Sequence, residues 1–313
     1  MEPQPSGPAT EATPLVAPGT EPVLRKLELV VRRRLDGLLQ GNYLGLIPGP
    51  GSEIAESRLY YPGDDVRRMD WPVTARTTVP HVRQTIADRE LETWAIVDLS
   101  PSLDVGTART EKRELVYAAL TAVVYLTARG GNRIGAIVTT GEDTYRIPAR
   151  AGVPHARHLI RKVAATPRAS KGRRGDLALA LEMARRPPRR RGQIAVISDF
   201  LGDDDWVRPL RGLGERHQLL GIEIVDPAEM NLPNAGLVTF VDPETGDQLE
   251  VQTSRANLRE RYAVAAAGQR QQIATSLRHA GAAHLRLHTD RDWLEDVLRF
   301  VIAQRRRRGG GPS

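Results

Sequence analysis

Short continuous apolar runs alternate along this chain with longer stretches in which apolar residues recur at helical spacing. The clearest run, at residues 94–97, is typical of a strand buried on both faces, and strands are predicted at residues 93–98, 133–139, 193–198, 218–225 and 284–288. The stretches of helical spacing lie at residues 111–129, 155–165, 176–186, 204–216 and 290–304. Because strands and helices alternate, the pattern predicts an α/β fold with a doubly wound, mostly parallel sheet and helices on both faces.

Three other segments add to this plan. Thr144 to Ala149 is short and follows closely on the second strand, which favours an antiparallel edge strand. Residues 237–251 contain a turn at Asp242 to Asp247, so they predict a hairpin, inserted at residues 235–253. A long helix over residues 255–279 follows the hairpin.

The N-terminal part of the chain has a different pattern. Residues 1–22 are polar and rich in proline, which predicts disorder. Val23 to Leu39 has helical spacing and predicts an amphipathic helix, and Val79 to Ala87 alternates like a strand. We therefore expect a small β-containing extension in front of the main domain.

These patterns predict four consecutive parts. They are a disordered tail at 1–22, a helix and β-rich extension at 23–90, the main α/β domain at 91–304, and a basic disordered tail at 305–313.

The composition also indicates the cellular compartment in which the protein is expected. The chain has no cysteine, which excludes disulfides and thiolate metal sites and agrees with a reducing cytoplasm. No apolar run approaches the roughly 20 residues that a membrane span requires, and Met1 to Thr20 lacks the features of a secretory signal. We expect a cytoplasmic protein with no membrane span.

The net charge of +7 is concentrated in arginine-rich runs. These runs lie at residues 32–34, 185–191 and 305–308. Such runs can bind nucleic acid, but here no aromatic residues are interleaved with them, and the chain has only three Phe. Solvated helix faces and tails are therefore favoured over a nucleic-acid interface, which stays open as an alternative.

The candidate chemistry lies where two of the predicted strands end. Asp98 ends the first strand and is followed by Ser100 and Ser102, while Asp199 follows the third. In an open parallel sheet, ligands bind beyond the carboxyl ends of the strands, near the point where the strand order reverses. Carboxylate and hydroxyl oxygens suit Mg2+, with Mn2+ as a substitute. The sequence therefore predicts a metal site formed by Asp98, Ser100, Ser102 and Asp199, while the plainer interpretation is that these residues cap two separate turns.

Catalysis has weaker support than binding. A serine nucleophile needs a base within reach, and Ser100 lacks the glycine pattern of a nucleophile elbow. A Mg2+-dependent phosphohydrolase with Asp98 as nucleophile and Asp199 at the metal stays open, although position 100 carries Ser rather than a carboxylic acid. We expect a binding protein rather than an enzyme.

Two groups of motifs resemble known families. The motif Asp98-x-Ser100-x-Ser102 resembles the metal-ion-dependent adhesion site of von Willebrand factor A domains. The preceding segment resembles the bacterial family called domain of unknown function 58, and with the motif the likeness covers most of residues 40–200. The residues that carry it are Gly49-x-Gly51-x-Glu53, Arg58-x-Tyr60, Pro62-Gly63-Asp64-Asp65-Val66-Arg67-x-x-Asp70-Trp71-x-x-x-Ala75-Arg76 and Glu90.

The resemblance implies a von Willebrand factor A-like fold and a function through partners. Members resemble adaptors that act with MoxR-type AAA+ ATPases in chaperone-like maturation or assembly of a client protein. Asp98, Ser100 and Ser102 match the first metal loop, and Asp199 matches the later acidic position. The family pattern also has a threonine where this chain has Gly175, so the site would lack one ligand, or take Asp176 or a water instead.

The segment around Asp64 has two interpretations. It could form a partner surface or brace the metal loops. We favour a structural role, in which charged residues pair internally and Trp71 packs onto the sheet. The charged residues concerned are Arg58, Asp64, Asp65, Asp70 and Arg76.

Overall fold

The structure is a computed structural model of the chain. It describes residues 57–61, 66, 69–83, 92–129, 132–170, 175–185 and 192–309. The predicted tail at 1–22 and the predicted helix from Val23 to Leu39 lie outside the described residues.

The described elements are ten strands and seven α-helices, with three short 3-10 turns. The strands are β1 (Ser57–Leu59), β2 (His81–Arg83), β3 (Glu92–Leu99), β4 (Arg133–Thr140), β5 (Thr144–Arg150), β6 (Gln193–Ser198), β7 (Gln218–Val225), β8 (Leu237–Val241), β9 (Gln248–Gln252) and β10 (Ala283–His288). The helices are α1 (Trp71–Thr77), α2 (Lys112–Arg129), α3 (Val153–Ala164), α4 (Leu177–Arg185), α5 (Val207–Gly214), α6 (Ala256–His279) and α7 (Trp293–Gly309). The 3-10 turns are Pro101–Asp104, Asp204–Trp206 and Pro227–Glu229.

Six of the strands form one central sheet in the order β10-β7-β6-β3-β4-β5. All neighbours are parallel except β4 and β5, which are antiparallel. The chain starts at β3, extends the sheet to β5 on one side, and then crosses back to build β6, β7 and β10 on the other. This arrangement confirms the predicted doubly wound sheet and its antiparallel edge strand.

The apolar strand runs are explained by burial on both faces of the sheet. Residues from α2, α3 and α7 form the core on one face. Residues from α4, α5 and the C-terminal half of α6 form the core on the other. Because each central strand is covered twice, nearly all its side chains are apolar rather than alternating.

Helix α2 is enclosed more completely than a surface helix. Residues 112–127 are buried except Tyr125, which is half-buried. The helix begins at Lys112, which places a lysine inside the protein at the carboxyl edge of the sheet.

The hairpin insertion is confirmed as the antiparallel pair β8 and β9, and the long helix after it is α6. The predicted helix at 204–216 is divided into a 3-10 turn and α5. Helix α7 ends at Gly309, so the prediction of a disordered tail from residue 305 is corrected for 305–309. Arginine favours helix, and cations are stabilised near a helix C-terminus. Residues 310–313 lie outside the described part of the chain.

The N-terminal extension contains β1 paired with β2, together with α1. Of the strand predicted at 79–87, residues 81–83 form β2, and 84–87 lie outside the described residues. Asp70 is buried and caps α1 by accepting a hydrogen bond from the Val73 amide at 3.3 Å. The expected packing of Trp71 onto the sheet is wrong, because this side chain is 65% exposed at the start of a helix that has no buried residue.

The proposed pairing of Arg58, Asp64 and Asp65 lies outside the side chains that the structure describes. Over the described residues, no helix has both the length and the apolar character that a membrane crossing requires.

Candidate metal centre

The candidate residues converge at the carboxyl edge of the central sheet. Strands β3 and β6 are parallel neighbours, with Val97 opposite Ile197. The Ser198 hydroxyl donates a hydrogen bond of 2.7 Å to Oδ2 of Asp98, which ties the ends of the two strands together. The prediction that these strands are adjacent and end at one edge is confirmed, although they are about a hundred residues apart in sequence.

Asp98 is a buried carboxylate held by neutral donors. Its side chain accepts hydrogen bonds from the Ser198 hydroxyl and, at 2.9 Å, from the backbone amide of Ser100. Burial and the negative charge of Asp199 raise the pKa of Asp98 from 3.8 to about 6. A cation beside this carboxylate would therefore relieve an unfavourable negative charge.

The two serine hydroxyls lie next to Asp98 on a tight turn. Pro101 begins a 3-10 turn directly after Ser100, and the Oγ atoms of Ser100 and Ser102 are 3.1 Å apart. Two adjacent ligands of an octahedral Mg2+, each about 2.1 Å from the ion, are roughly 3 Å apart. The hydroxyl pair thus has a spacing that fits cis ligands of Mg2+, and it also fits a hydrogen bond between the two serines.

Gly175, where the resemblance implies a threonine, lies directly against the loop of residues 98–102. A Cβ added there would be 2.6 Å from Cβ of Ser100, 3.3 Å from its Oγ and 3.4 Å from Oδ1 of Asp98. The glycine therefore permits a close backbone approach that a threonine would prevent. The next residue, Asp176, is used as a helix cap, since its Oδ1 accepts from the Leu179 amide at 2.6 Å.

Asp199 lies at the same edge but in the opposite electrostatic environment. Its Oδ2 accepts a hydrogen bond from Nζ of Lys112 at 2.6 Å, and its Oδ1 accepts from the Leu201 amide at 3.2 Å. Burial opposes ionisation of Asp199, but the Lys112 ammonium outweighs it and holds the pKa of this carboxyl below its usual value.

The backbone after Asp199 is strained. Phe200 has φ of +56°, in the left-handed region that non-glycine residues seldom adopt. Its amide donates to the Ser198 hydroxyl at 3.0 Å, and its ring packs against Trp206 with centroids 5.0 Å apart. These contacts fix the turn and with it the position of Asp199.

Asp226, a third carboxylate at this edge, holds the loop that joins the turn at Pro101–Asp104 to α2. Asp226 follows β7 and accepts hydrogen bonds from Thr107, from the Ala228 amide and from the Thr289 hydroxyl. Its carboxylate is thus surrounded by donors, and its contacts are those of a structural clamp.

Sequence reasoning brought together Asp98, Ser100, Ser102 and Asp199, and it missed Ser198 and Lys112. Ser198 had a usable signal, because it ends the strand beside Asp98. Lys112 stands next to Arg113 and Glu114, so its burial was not visible in the pattern. Within the described residues, no cluster of three or more His, Cys, Asp or Glu could hold an ion. An ion here would therefore depend on the two hydroxyls.

Comparison with known proteins decides the family. The family model described as "Protein of unknown function DUF58" matches residues 56–272. This chain belongs to the DUF58 family. The DUF58 chain is 55% identical over 283 residues to "Uncharacterized protein Rv1480" of Mycobacterium tuberculosis, which covers 90% of this chain and 89% of that protein. It is 48% identical over 161 residues to "Uncharacterized protein MAV169" of Mycobacterium avium, covering 51% of this chain and 95% of that one.

Solved structures similar to the DUF58 chain include BatB from Bacteroides thetaiotaomicron, at 15% identity and a TM-score of 0.44, over 69% of this chain and 99% of that one. The SpRpn10 VWA domain is 10% identical with a TM-score of 0.39, over 66% and 93% of the two chains. The DUF58 chain has a von Willebrand factor A-like fold, as its Asp-x-Ser-x-Ser motif implied, and its own strand order carries that assignment.

Proposed function

We propose that this DUF58 protein is a metal-dependent protein-binding adaptor. A Mg2+ ion would be held by Asp98, Ser100 and Ser102, with Asp199 as a further negative charge behind the site. The observation that carries the proposal is the serine pair, whose hydroxyl oxygens are 3.1 Å apart beside a buried carboxylate that has neutral hydrogen-bond donors. These residues supply oxygen ligands of the kind that Mg2+ takes, at a spacing that fits its octahedral geometry.

The charge balance of this donor set favours binding of a partner carboxylate. Asp98 contributes one negative charge, while Ser100 and Ser102 contribute neutral oxygens. A divalent ion in such a site keeps a net positive charge and an open coordination position, which a carboxylate of another protein could complete. The protein's part is to hold the loop rigid through the Ser198 and Gly175 contacts at its base.

The proposed partner is a MoxR-type AAA+ ATPase or its client protein. The support is the family membership, because members resemble adaptors that act with such ATPases, and von Willebrand factor A-like domains often mediate protein interactions. Since these ATPases use cytoplasmic ATP, the cytoplasm is the proposed location.

A hydrolase with Asp98 as nucleophile has less support. Both carboxylate oxygens of Asp98 accept hydrogen bonds, and Asp98 is only 6% exposed. The neighbouring carboxylate, Asp199, is paired with Lys112. A nucleophilic carboxylate needs an accessible oxygen and a second group to activate its attacker or leaving group. For a nucleic-acid interface, residues 186–191 of the central arginine run lie outside the described part of the chain.

The metal claim can be tested by calorimetric titration of the purified protein with Mg2+ and then Mn2+. We expect weak but measurable binding, lost in Asp98→Ala and weakened by about tenfold in the double variant Ser100→Ala/Ser102→Ala, because affinity follows the charge and number of ligands. Glu182→Gln is the matched control, since Glu182 is an exposed carboxylate on α4. Binding that is equal in the wild type and Asp98→Ala would refute the assignment.

A further inference from the structure

Lys112 is an internal cation beside the candidate metal centre. It is the first residue of α2 and is only 1% exposed, which places it among the most buried large side chains of the described chain. A lysine is almost never fully buried unless negative partners compensate its charge. The identity of those partners therefore indicates what the lysine does.

The Lys112 ammonium lies between two carboxylates from different parts of the edge. One is Asp199, at 2.6 Å, and the other is Glu229 in the turn after β7. Glu229 also pairs with Arg270 of α6, and Arg270 donates to the backbone oxygen of Asp199 at 3.1 Å. The ammonium thus closes a ring of contacts through the turn after β6, the turn after β7 and α6.

Farther from the loop of residues 98–102, the same network contains equal numbers of carboxylates and permanent cations. Arg270 is 3.0 Å from Glu223, and Glu223 also pairs with Arg286 at 2.7 Å. The three carboxylates of this network, Asp199, Glu229 and Glu223, therefore match three permanent cations, Lys112, Arg270 and Arg286, and His284 also contacts Glu223 at 2.6 Å. Asp98, by contrast, accepts hydrogen bonds from neutral donors.

We propose that Lys112 is the permanent counter-ion of Asp199 and so keeps this carboxylate from ligating a metal. Asp98, Ser100 and Ser102 then remain as the protein ligands of a divalent ion. Lys112 is then a positioning residue that sets the affinity of the site. The second half of this proposal rests on the proposed metal function, whereas the pairing of Lys112 with Asp199 does not.

The physical consequence is a site with one ionised ligand instead of two. Two carboxylates would neutralise a divalent ion, and the neutral site would attract an outside carboxylate less strongly. By holding Asp199, Lys112 keeps the ion's charge available to a partner, and the cost is weak affinity for the ion in the free protein.

The test replaces Lys112 with methionine, which keeps an unbranched side chain of similar length but removes the charge. Lys112→Met leaves Asp199 buried without its ammonium, so the melting temperature should fall. Mn2+ alone should restore much of the loss and bind about tenfold more tightly than to the wild type, because a second carboxylate becomes a ligand. The gain should vanish in Lys112→Met/Asp199→Asn.

Lys162→Met is the control for removal of a lysine, since Lys162 is exposed in the last turn of α3. If Lys112→Met binds Mn2+ no better than the wild type, the proposal is overturned. If the wild type binds no Mn2+ while Lys112→Met does, the role of Lys112 stands and the proposed metal function fails.

A second variant covers the case in which Lys112→Met does not fold. Asp199→Asn retains the Lys112–Glu229 pair. If Asp199 is not a ligand, this variant should change the Mn2+ affinity of the wild-type protein by less than about threefold, whereas Asp98→Ala should abolish binding. A loss in Asp199→Asn as large as that in Asp98→Ala would show that Asp199 ligates the ion and would overturn the proposal.

Discussion

Asp98 and Asp199 end neighbouring strands, yet their surroundings move their ionisation in opposite directions. Asp98 is buried among neutral donors beside another negative charge, and its pKa rises to about 6. Asp199 is equally buried, but the Lys112 ammonium keeps it ionised. At this scale the site is asymmetric: one carboxylate lacks a counter-charge and the other has one.

The raised pKa of Asp98 predicts a pH-dependent effect of Asp98→Asn on stability. The Asp98 carboxyl has a pKa of 3.8 in the unfolded chain but of about 6 in the folded protein. The folded state therefore loses stability as the pH rises through this window. The loss is at most about 3 kcal/mol. In metal-free buffer, the melting temperature of Asp98→Asn should therefore rise relative to that of the wild type as the pH goes from about 4 to about 7.

Thermal denaturation at several pH values checks this prediction, with Glu182→Gln as the control for loss of an exposed carboxylate. A difference between Asp98→Asn and the wild type that stays constant from acid to neutral pH would mean that Asp98 ionises normally in the folded protein.

Residue types in a local pattern could be recognised from the sequence, but partnerships through space could not. Asp98, Ser100 and Ser102 lie within five positions, so their motif was visible. Lys112 pairs with Asp199 and Glu229 across 87 and 117 positions, and nothing local marks those partners. The prediction that Trp71 packs onto the sheet was wrong for a related reason, since an apolar residue at the start of a helix need not face the core.

The segment before α4 and the metal loop after β3 are in contact through Gly175. This contact between elements predicts that Gly175→Ala destabilises the protein by roughly 1–3 kcal/mol, because a Cβ would overlap the Ser100 side chain. For the same reason, Gly175→Thr should not improve metal binding, although it introduces the threonine that the resemblance implies.

The control is Gly268→Ala in α6, where an added Cβ meets nothing within 4 Å. That change should stabilise the protein by up to about 1 kcal/mol, the helix propensity gained. Chemical denaturation compares the two variants. Equal effects of Gly175→Ala and Gly268→Ala would show that the segment does not press on Ser100.

Elements were predicted well where burial dictates the pattern and less well at their ends. Strands β3, β4, β6 and β7 are apolar runs because both faces of the sheet are covered there, whereas the edge strand β10 alternates between apolar and polar residues. The bounds of all five strands were accurate to about a residue. Helix ends depend on caps and on charge near the terminus, as in the extension of α7 to Gly309. The break between the 3-10 turn at 204–206 and α5 also follows from local geometry that spacing does not reveal.

At the scale of the whole molecule, topology creates the candidate site. The sheet reverses its strand order between β3 and β6, and this reversal places the Asp98 loop beside the turn that carries Asp199. The sequence pattern could predict this meeting, because an alternating α/β order restricts the possible topologies. It could not predict how α2 and α6 insert Lys112 and Arg270 behind the edge, since that depends on tertiary packing.

The central claim is that a metal at Asp98 binds a partner protein, and the most direct test is the affinity of this protein for a purified MoxR-type ATPase from the same host. Mg2+ and ATP are kept constant, because a chelator would also inactivate the ATPase, and only this protein is varied. We predict that Asp98→Ala and Ser100→Ala/Ser102→Ala, shown to be folded, bind at least about tenfold more weakly than the wild type and Glu182→Gln. Unchanged affinity in both variants would contradict the account and place the interface elsewhere.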